Sequence, residues 1–414
     1  MDAGRALSGG LVPVAEARAR LLADAEPLAA EIVPLDEAQG RVLAEDLMAL
    51  RTQPPDAVSA MDGYAVRAAD LENAPADLTV IGEVAAGHPF DGIVGAGQAA
   101  RIFTGGVVPA GADTVTIQEN VTVLAGGLVR ANQAEPLGRN IRAAGLDFRQ
   151  DETVLQAGTV LDAGALCLAA AANHPSLPVV RRPRIAVLAT GDELLPPGSE
   201  PGPGQIIASN SYGVTAIARD AGANVIDLGI VRDREDELAA ALDRAADTGC
   251  DILVTLGGAS VGDHDLVQKV FVSRGMTLGF WKIAMRPGKP LMSGNLGSMR
   301  ILGLPGNPVS ALVCGHLFLK PLVEKLSGRR FSERRMQALL ETPLPENDRR
   351  EDYIRATAWR DEAGSLRVKA FDTQDSSMIS AFALSNVLIV RPPHTPAVAA
   401  GDSVEVLVLK EHAF

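Results

Sequence analysis

The sequence predicts a multidomain chain: an α/β domain with a parallel sheet, a β-rich inserted domain, a discontinuous helical linker domain, and a barrel-like β domain at the C-terminus. Three observations carry this. Apolar β runs alternate with helical segments across 181–328, the pattern of a parallel sheet covered by helices. Stretches 52–143 and 329–414 instead carry short alternating runs between turn residues, as strands of antiparallel domains do. The 414 residues allow two to four domains at roughly 100–200 residues each.

Taken in order, Val14–Leu22 places apolar residues at helical spacing with Glu16, Arg18 and Arg20 between them, which predicts an amphipathic helix. Further helix is expected over 35–50 and from 153 to about 173. These segments make up the linker domain, residues 1–51 and 144–180, with 52–143 inserted. Inside the insertion, strands are expected at 78–84, 99–103, 114–118 and 127–129. Arg181-Arg182-Pro183 reads as a linker into the 181–328 domain. There, strands are expected at 185–189, Asn224–Val231, Ile252–Leu256 and 301–304. Helices are expected at 210–221, 235–246, Leu266–Ser273 and 309–326. The C-terminal domain, 329–414, takes its strands from 353–358, Leu366–Ala370, 387–390 and 403–409.

Composition narrows the function classes. The chain is 47% hydrophobic with 4% aromatics, so its cores are built mainly from Ala, Val, Leu and Ile. A net charge of −13 argues against nucleic acid or an anionic membrane as partner. A small anionic ligand then requires a local basic pocket. Cys167, Cys250 and Cys314 form no CxxC pair, which predicts reduced thiols and no zinc site. The N-terminus shows no apolar core of signal-peptide type, and the apolar run at 163–172 is too short to span a bilayer. A cytoplasmic location is expected.

In an open parallel sheet, ligands bind beyond the carboxyl ends of the strands. Three loops fall there: Thr190-Gly191-Asp192-Glu193-Leu194, the Gly257-Gly258-Ala259-Ser260-Val261-Gly262 loop with Asp263, His264 and Asp265, and Pro305-Gly306-Asn307-Pro308. A Gly-rich strand–helix loop lets backbone N–H groups approach an anion. It is neither a Walker loop nor GxGxxG, so nucleotide-hydrolase and dinucleotide readings lose support. Glu193, Asp233 and Asp265 gather at the same edge; three carboxylates beside an anion site call for a cation, and Mg²⁺ suits carboxylates with phosphate oxygens. The basic counterpart is Lys282, Arg286 and Lys289, with Pro287 and Pro290 fixing the backbone. If the segment is extended, Lys282 and Arg286 share one face. With Trp281 beside Lys282 to shield it from water and the rigid Gly288 and Pro290 flanking Lys289, the trio divides between two anions, Lys282 and Arg286 on one and Lys289 on the other.

The insertion adds Ser59-Ala60-Met61-Asp62-Gly63-Tyr64-Ala65, Thr104-Gly105 followed by Pro109 and Gly111-Ala112-Asp113, and Arg142 before Asp147. Physics alone reads these as turns. Together with the three sheet-edge loops and the 282–290 segment, in this order, they resemble the MoeA-type molybdopterin molybdenumtransferases, the family that includes the C-terminal domain of gephyrin. The resemblance runs from about Val14 to the end.

It implies a four-domain homodimer whose α/β domain is similar to the adenylylating enzyme MogA. It also implies a Mg²⁺-dependent final step of molybdenum cofactor biosynthesis. In that step molybdate enters the dithiolene of adenylylated molybdopterin and AMP leaves. The implied catalytic residues are Asp62, Glu193, Asp233 and Asp265, the last three holding the metal. The implied substrate contacts from the insertion are Thr104, Arg142 and Asp147. Those from the sheet edge are Gly257, Gly258, Ser260, Gly262, Pro305, Asn307 and Pro308. The basic segment adds Lys282, Arg286 and Lys289, and the C-terminal domain adds Arg355 and Ser376. In the family the cleft joins the α/β domain of one subunit to the insertion of the other. Transient contact with a MogA-type adenylyltransferase and with cofactor-receiving enzymes is implied as well. Arg286 stands where a Lys is common, and a guanidinium binds oxyanions as a planar fork. Two other readings compete: pterin adenylylation, which needs neither the insertion nor the C-terminal domain, and a non-catalytic scaffold, which does not need the acidic and basic side chains retained here.

Overall fold

The computed structural model describes residues 10–258, 266–331 and 333–410. The chain divides into two compact units, one over 32–39 and 45–178, the other over 1–31, 40–44 and 179–414.

Helix α1, Val14–Leu22, forms where its periodicity predicts and buries Val14, Ala17 and Leu21. The helix expected over 35–50 does not form. Leu35–Glu37 makes a single 3₁₀ turn, and Gly40, at φ +69°, turns the chain out of it. The apolar residues beyond are buried by strand pairing instead. Leu43 bridges Val179, and Leu47–Met48 pairs with Thr153–Leu155. Cross-strand contacts override local helical periodicity here. The second helical stretch is likewise shorter than expected: only α2, Ala163–Ala171, is helical.

The smaller unit holds a six-stranded sheet of β1 (Gly63–Val66), β2 (Ala76–Val84), β3 (Gln98–Ile102), β4 (Thr114–Ile117), β5 (Val121–Val123) and β6 (Leu128–Ala131). Its strand order is β4-β1-β3-β2-β6-β5. Alternate residues feed two separate cores. Tyr64, Val66, Leu78 and Val129 pack on one face, and Ala65, Val84, Ile102 and Val115 on the other.

The larger unit contains β7 (Arg184–Thr190), α3 (Asn210–Asp220), β8 (Asn224–Val231), α4 (Glu235–Asp247), β9 (Ile252–Leu256) and α5 (Leu266–Ser273). These are followed by β10 (Thr277–Lys282), β11 (Pro290–Leu296) and β12 (Met299–Leu304). The sheet runs β8-β7-β9-β12-β11-β10. The first four strands are parallel; β11 and β10 extend it antiparallel, an extension the sequence reading did not include. The continuous apolar runs follow from burial on both faces. Ile185 and Val187 enter one core with Val254, Leu302 and Leu317, while Ala186 and Leu188 enter the other with Leu242 and Leu253. The expected long helix is α6 (Pro308–Cys314) and α7 (Lys320–Leu326), joined by a π-turn at Gly315–Leu319.

The C-terminal strands β13 (Arg335–Leu340), β14 (Glu351–Arg360), β15 (Leu366–Ala370), β16 (Val387–Arg391) and β17 (Ser403–Val408) close on themselves. The ring is β14-β15-β13-β17-β16-β14, so the barrel-like expectation holds. Ala356, Val368, Ile389 and Val406 fill its interior. Tyr353, Leu388, Val390 and Leu407 instead join the core of the α/β domain. Among the described residues no helix is long and apolar enough to cross a membrane.

Candidate functional site

A cavity of about 710 Å³ opens at the carboxyl ends of β7, β9 and β12, lined by Thr190, Glu193, Asp233, Gly257, Gly258, Pro305, Asn307 and Pro308, among others. Each is delivered by a strand end. Thr190 closes β7, Gly257 follows β9, and Pro305 follows β12. The glycines are required by the close approach. Gly257 sits at φ +96°, and a Cβ there would lie 2.6 Å from the Thr190 carbonyl oxygen. At Gly258, φ +64°, a Cβ would lie 2.2 Å from Val267 Cγ2. The rest of this loop, with Ser260, Gly262 and Asp265, lies outside the described residues.

Among the described residues, the charged side chains lining it are the carboxylates Glu193 and Asp233. Glu193 and Asp233 are exposed to the cavity. The Asp233 carboxyl is raised above its ordinary value, first by desolvation and then by Asp192 and Glu193. A site that makes one carboxylate harder to ionise through its neighbours favours a cation. Among the described residues no group of three or more ligating side chains gathers. Glu193 and Asp233 supply two hard oxygen donors, which fits Mg²⁺, an ion commonly held by one or two carboxylates with waters and substrate phosphates.

Ser209, Asn210 and Ser211 at the start of α3 line the same cavity. Ser209 makes no side-chain cap, so the first-turn N–H groups of α3 retain their affinity for an anion. The Asn210 side-chain amide donates to the Gly306 carbonyl at 2.7 Å, tying two of the lining loops together. The sequence reading missed this residue, because an Asn opening a helix looks like any helix start. Among the described residues Thr190 Oγ1 is buried without a hydrogen-bond partner.

Ser376 and Arg355 come from the barrel side. The Asn307 amide donates to Ser376 Oγ at 2.9 Å, and the Val309 N–H to the Ser376 carbonyl at 3.1 Å. Arg355 is 2% exposed and donates to the Asp375 carbonyl at 3.0 Å. Burial lowers its pKa from the ordinary value, and its position makes it a support for the loop that carries Ser376.

The basic segment lies at the same edge, since β10 ends at Lys282 and β11 begins at Pro290, which lines the cavity. Its three cations separate, however. Lys282 and Lys289 line one neighbouring cavity, whereas Arg286 forms a forked ion pair with Asp352 at 2.9 and 2.6 Å and lines another. The expected shared face for Lys282 and Arg286 is therefore not formed. Irregular register on both sides of Phe280 and a short strand at Met285–Arg286 paired to Glu351–Asp352 break the simple alternation.

In the smaller unit, Asp62 Oδ1 accepts from the Thr104 N–H at 2.7 Å and from its hydroxyl at 2.8 Å. These two bonds, the backbone one first, hold the Asp62 carboxyl below its ordinary pKa. Arg142 ends a short strand paired with Val58–Ser59 and is exposed. Asp147 is exposed, with its N–H on the Gln53 carbonyl at 3.0 Å.

Three family models match the chain. The MoeA N-terminal region (domain I and II) covers 12–173, a probable molybdopterin binding domain 186–325, and the MoeA C-terminal region (domain IV) 337–409. A molybdopterin molybdenumtransferase of Haemophilus influenzae is 36% identical over 88% of this chain and 90% of its own length. One of Bacillus subtilis is 33% identical over 89% and 87%. A molybdopterin biosynthesis MoeA protein of Pyrococcus horikoshii superposes with a TM-score of 0.81 at 29% identity, covering 96% of this chain and all of that one.

Proposed function

The chain belongs to the MoeA family, and from that premise we propose that it inserts molybdate into adenylylated molybdopterin with Mg²⁺, releasing AMP. It is a transferase of molybdenum cofactor biosynthesis, as its relatives are. The observation that carries the finer reading is the cavity of about 710 Å³ at the carboxyl edge of the sheet, which two carboxylates, the glycine loop and the start of α3 line together.

In this reading the backbone at Gly258 and the first-turn N–H groups of α3 bind phosphate oxygens, while the Gly257 N–H is held by the Leu304 carbonyl at 3.2 Å. Glu193 and Asp233 would hold Mg²⁺, which when bound would neutralise charge on phosphate oxygens. Asn307, fixed by Asn210 through Gly306 on one side and by Ser376 on the other, orients the substrate. Pro305 and Pro308 stiffen the loop between them. Lys282 and Lys289 add positive charge at the same edge. Asp62, Thr104, Arg142 and Asp147 are proposed as substrate contacts from the insertion. Asp62 is held ionised by its Thr104 bonds and so presents a fixed negative charge.

A homodimer in the cytoplasm is part of the proposal, with the insertion of one subunit serving the partner subunit's cleft. Transient hand-over contacts with an adenylyltransferase and with cofactor-receiving enzymes complete it.

The test is to supply purified protein with adenylylated pterin, Mg²⁺ and molybdate. Molybdate-dependent release of AMP is the expected result. A requirement for ATP, with consumption of free pterin, would identify an adenylyltransferase instead. Tight binding with no turnover would identify a scaffold.

A further inference from the structure

We propose that Arg101 is a positioning residue that acts through Asp62, fixing the turn from which the Asp62 carboxylate meets the substrate. The inference rests on the substrate contact proposed above for Asp62. Every residue of the arrangement lies in the smaller unit.

The geometry starts from the carboxylate. Both bonds from Thr104, its N–H at 2.7 Å and its hydroxyl at 2.8 Å, fall on Asp62 Oδ1. Oδ2 is thereby left to accept from a ligand. Its aim is set by the backbone that carries it, and that backbone is held on two sides. The Gln118 N–H donates to the Asp62 carbonyl at 3.0 Å. The next carbonyl, that of Gly63, accepts from Arg101 Nη1 at 3.3 Å. Arg101 Nη2 in turn donates to Gln118 Oε1 at 2.7 Å. One guanidinium therefore ties together the two residues that flank the Asp62 peptide, Gly63 along the chain and Gln118 across it.

Arg101 is itself fixed. It stands on β3 directly across from Tyr64 on β1, and its guanidinium carbon lies 5.0 Å from the Tyr64 ring centre and 4.9 Å from that of Phe103. Cation–π contact with two rings restrains the plane of the fork. Tyr64 is buried, and Arg101 and Phe103 are half-buried. Among the described residues Arg101 forms no ion pair, whereas Arg130 of the same sheet is paired with Asp77. Its charge is thus not taken up by a carboxylate in contact with it. The Asp62 carboxyl, held low chiefly by the two Thr104 bonds, is lowered further by that charge. Arg101 accordingly supports Asp62 in two ways: by hydrogen bonds that set its direction, and by a field that favours its ionised, accepting form. A planar fork reaches two acceptors while its face rests on the rings, which an ammonium cannot do.

A double-mutant cycle tests it, with binding of adenylylated pterin to the full chain read by titration calorimetry in the absence of molybdate. Arg101→Gln should weaken binding about fivefold. In the Asp62→Asn background the same change should cost less than about twofold, because its effect passes through the carboxylate that is already gone. Arg101→Lys keeps the charge and the ring contact, so it should recover part of the loss and should hold the fold if Arg101→Gln does not. Arg130→Gln, which removes an exposed arginine of the same sheet, should leave binding unchanged. Equal losses from Arg101→Gln in both backgrounds would make Arg101 a direct contact or a general support of the sheet, and would overturn the inference. So would unchanged affinity in Arg101→Gln when Asp62→Asn is weakened; in both cases the contact assigned to Asp62 survives. Unchanged affinity in Asp62→Asn removes that contact, and no binding to the unmodified protein removes the substrate; either takes the inference with it. The readout needs no turnover, so coupling between Arg101 and Asp62 without AMP release would keep the positioning role and remove the reaction assigned above.

Discussion

Lys282 and Lys289 show how register decides chemistry at single residues. The sequence reading assigned them to different anions, on the assumption that Lys282 paired with Arg286. Pairing of Lys282 with Pro290 across β10 and β11 instead puts the two lysines on one cavity, and Asp352 holds Arg286 elsewhere. The expected outcome is that Lys282→Ala and Lys289→Ala raise the apparent constant of the same substrate. Steady-state titration of molybdate and pterin in both variants checks this; opposite selectivity would restore the original division. His316, on the π-turn, offers a residue-scale test of stability. Burial, then the Lys320 ammonium, pushes it down to about 4. Between that value and its unfolded pKa of about 6.5 the unfolded chain binds the extra proton. Its contribution is therefore intact above pH 6.5 and is lost as pH falls toward 4, by about 1–2 kcal/mol once its partial exposure is discounted. Denaturant unfolding of His316→Gln between pH 7 and 4.5 should show a flatter pH dependence than the unmodified protein. Equal slopes would place the imidazole in solvent.

At the scale of elements, legibility tracked the number of buried faces. β9 and α5 were read to the residue, because β9, buried on both faces, is apolar but for Thr255 and α5 is amphipathic on one. The 35–50 segment misled because Val42, Leu43, Leu47 and Ala49 are buried by partners more than a hundred residues away, which no local period reports. The edge strands β10 and β11 were not delimited for a related reason: the prolines and glycines of 279–290 interrupt any regular alternation, so the segment was extended only conditionally, yet they permit antiparallel pairing at a sheet edge. Helix α2 carries a test of its own. Asp162 accepts from the Ala165 N–H at 2.9 Å, so Asp162→Ala should cost about 1 kcal/mol. A thermal scan that leaves the midpoint unchanged would show that tertiary packing alone holds this helix.

At the scale of the molecule, the loops at the strand ends were legible as a site because topology fixes where a parallel sheet binds ligands. The residues of the insertion were legible only through family resemblance. Asp62 and Thr104 form a local hydrogen-bonded pair that nothing in spacing or periodicity marks as functional. The proposed shared cleft predicts that inactive Asp62→Ala and Asp233→Asn proteins, mixed under subunit exchange, recover part of the activity. A mixture as inactive as its components, with exchange verified, would require each subunit to work alone.

The central claim is that the sheet-edge cavity performs a Mg²⁺-assisted transfer through its carboxylates. The most direct measurement is AMP release by Asp233→Asn across a Mg²⁺ titration, with the fold checked by circular dichroism. The account predicts a folded protein whose release at limiting Mg²⁺ falls about 100-fold, with partial recovery as Mg²⁺ rises. Turnover equal to that of the unmodified protein at limiting Mg²⁺ would contradict it.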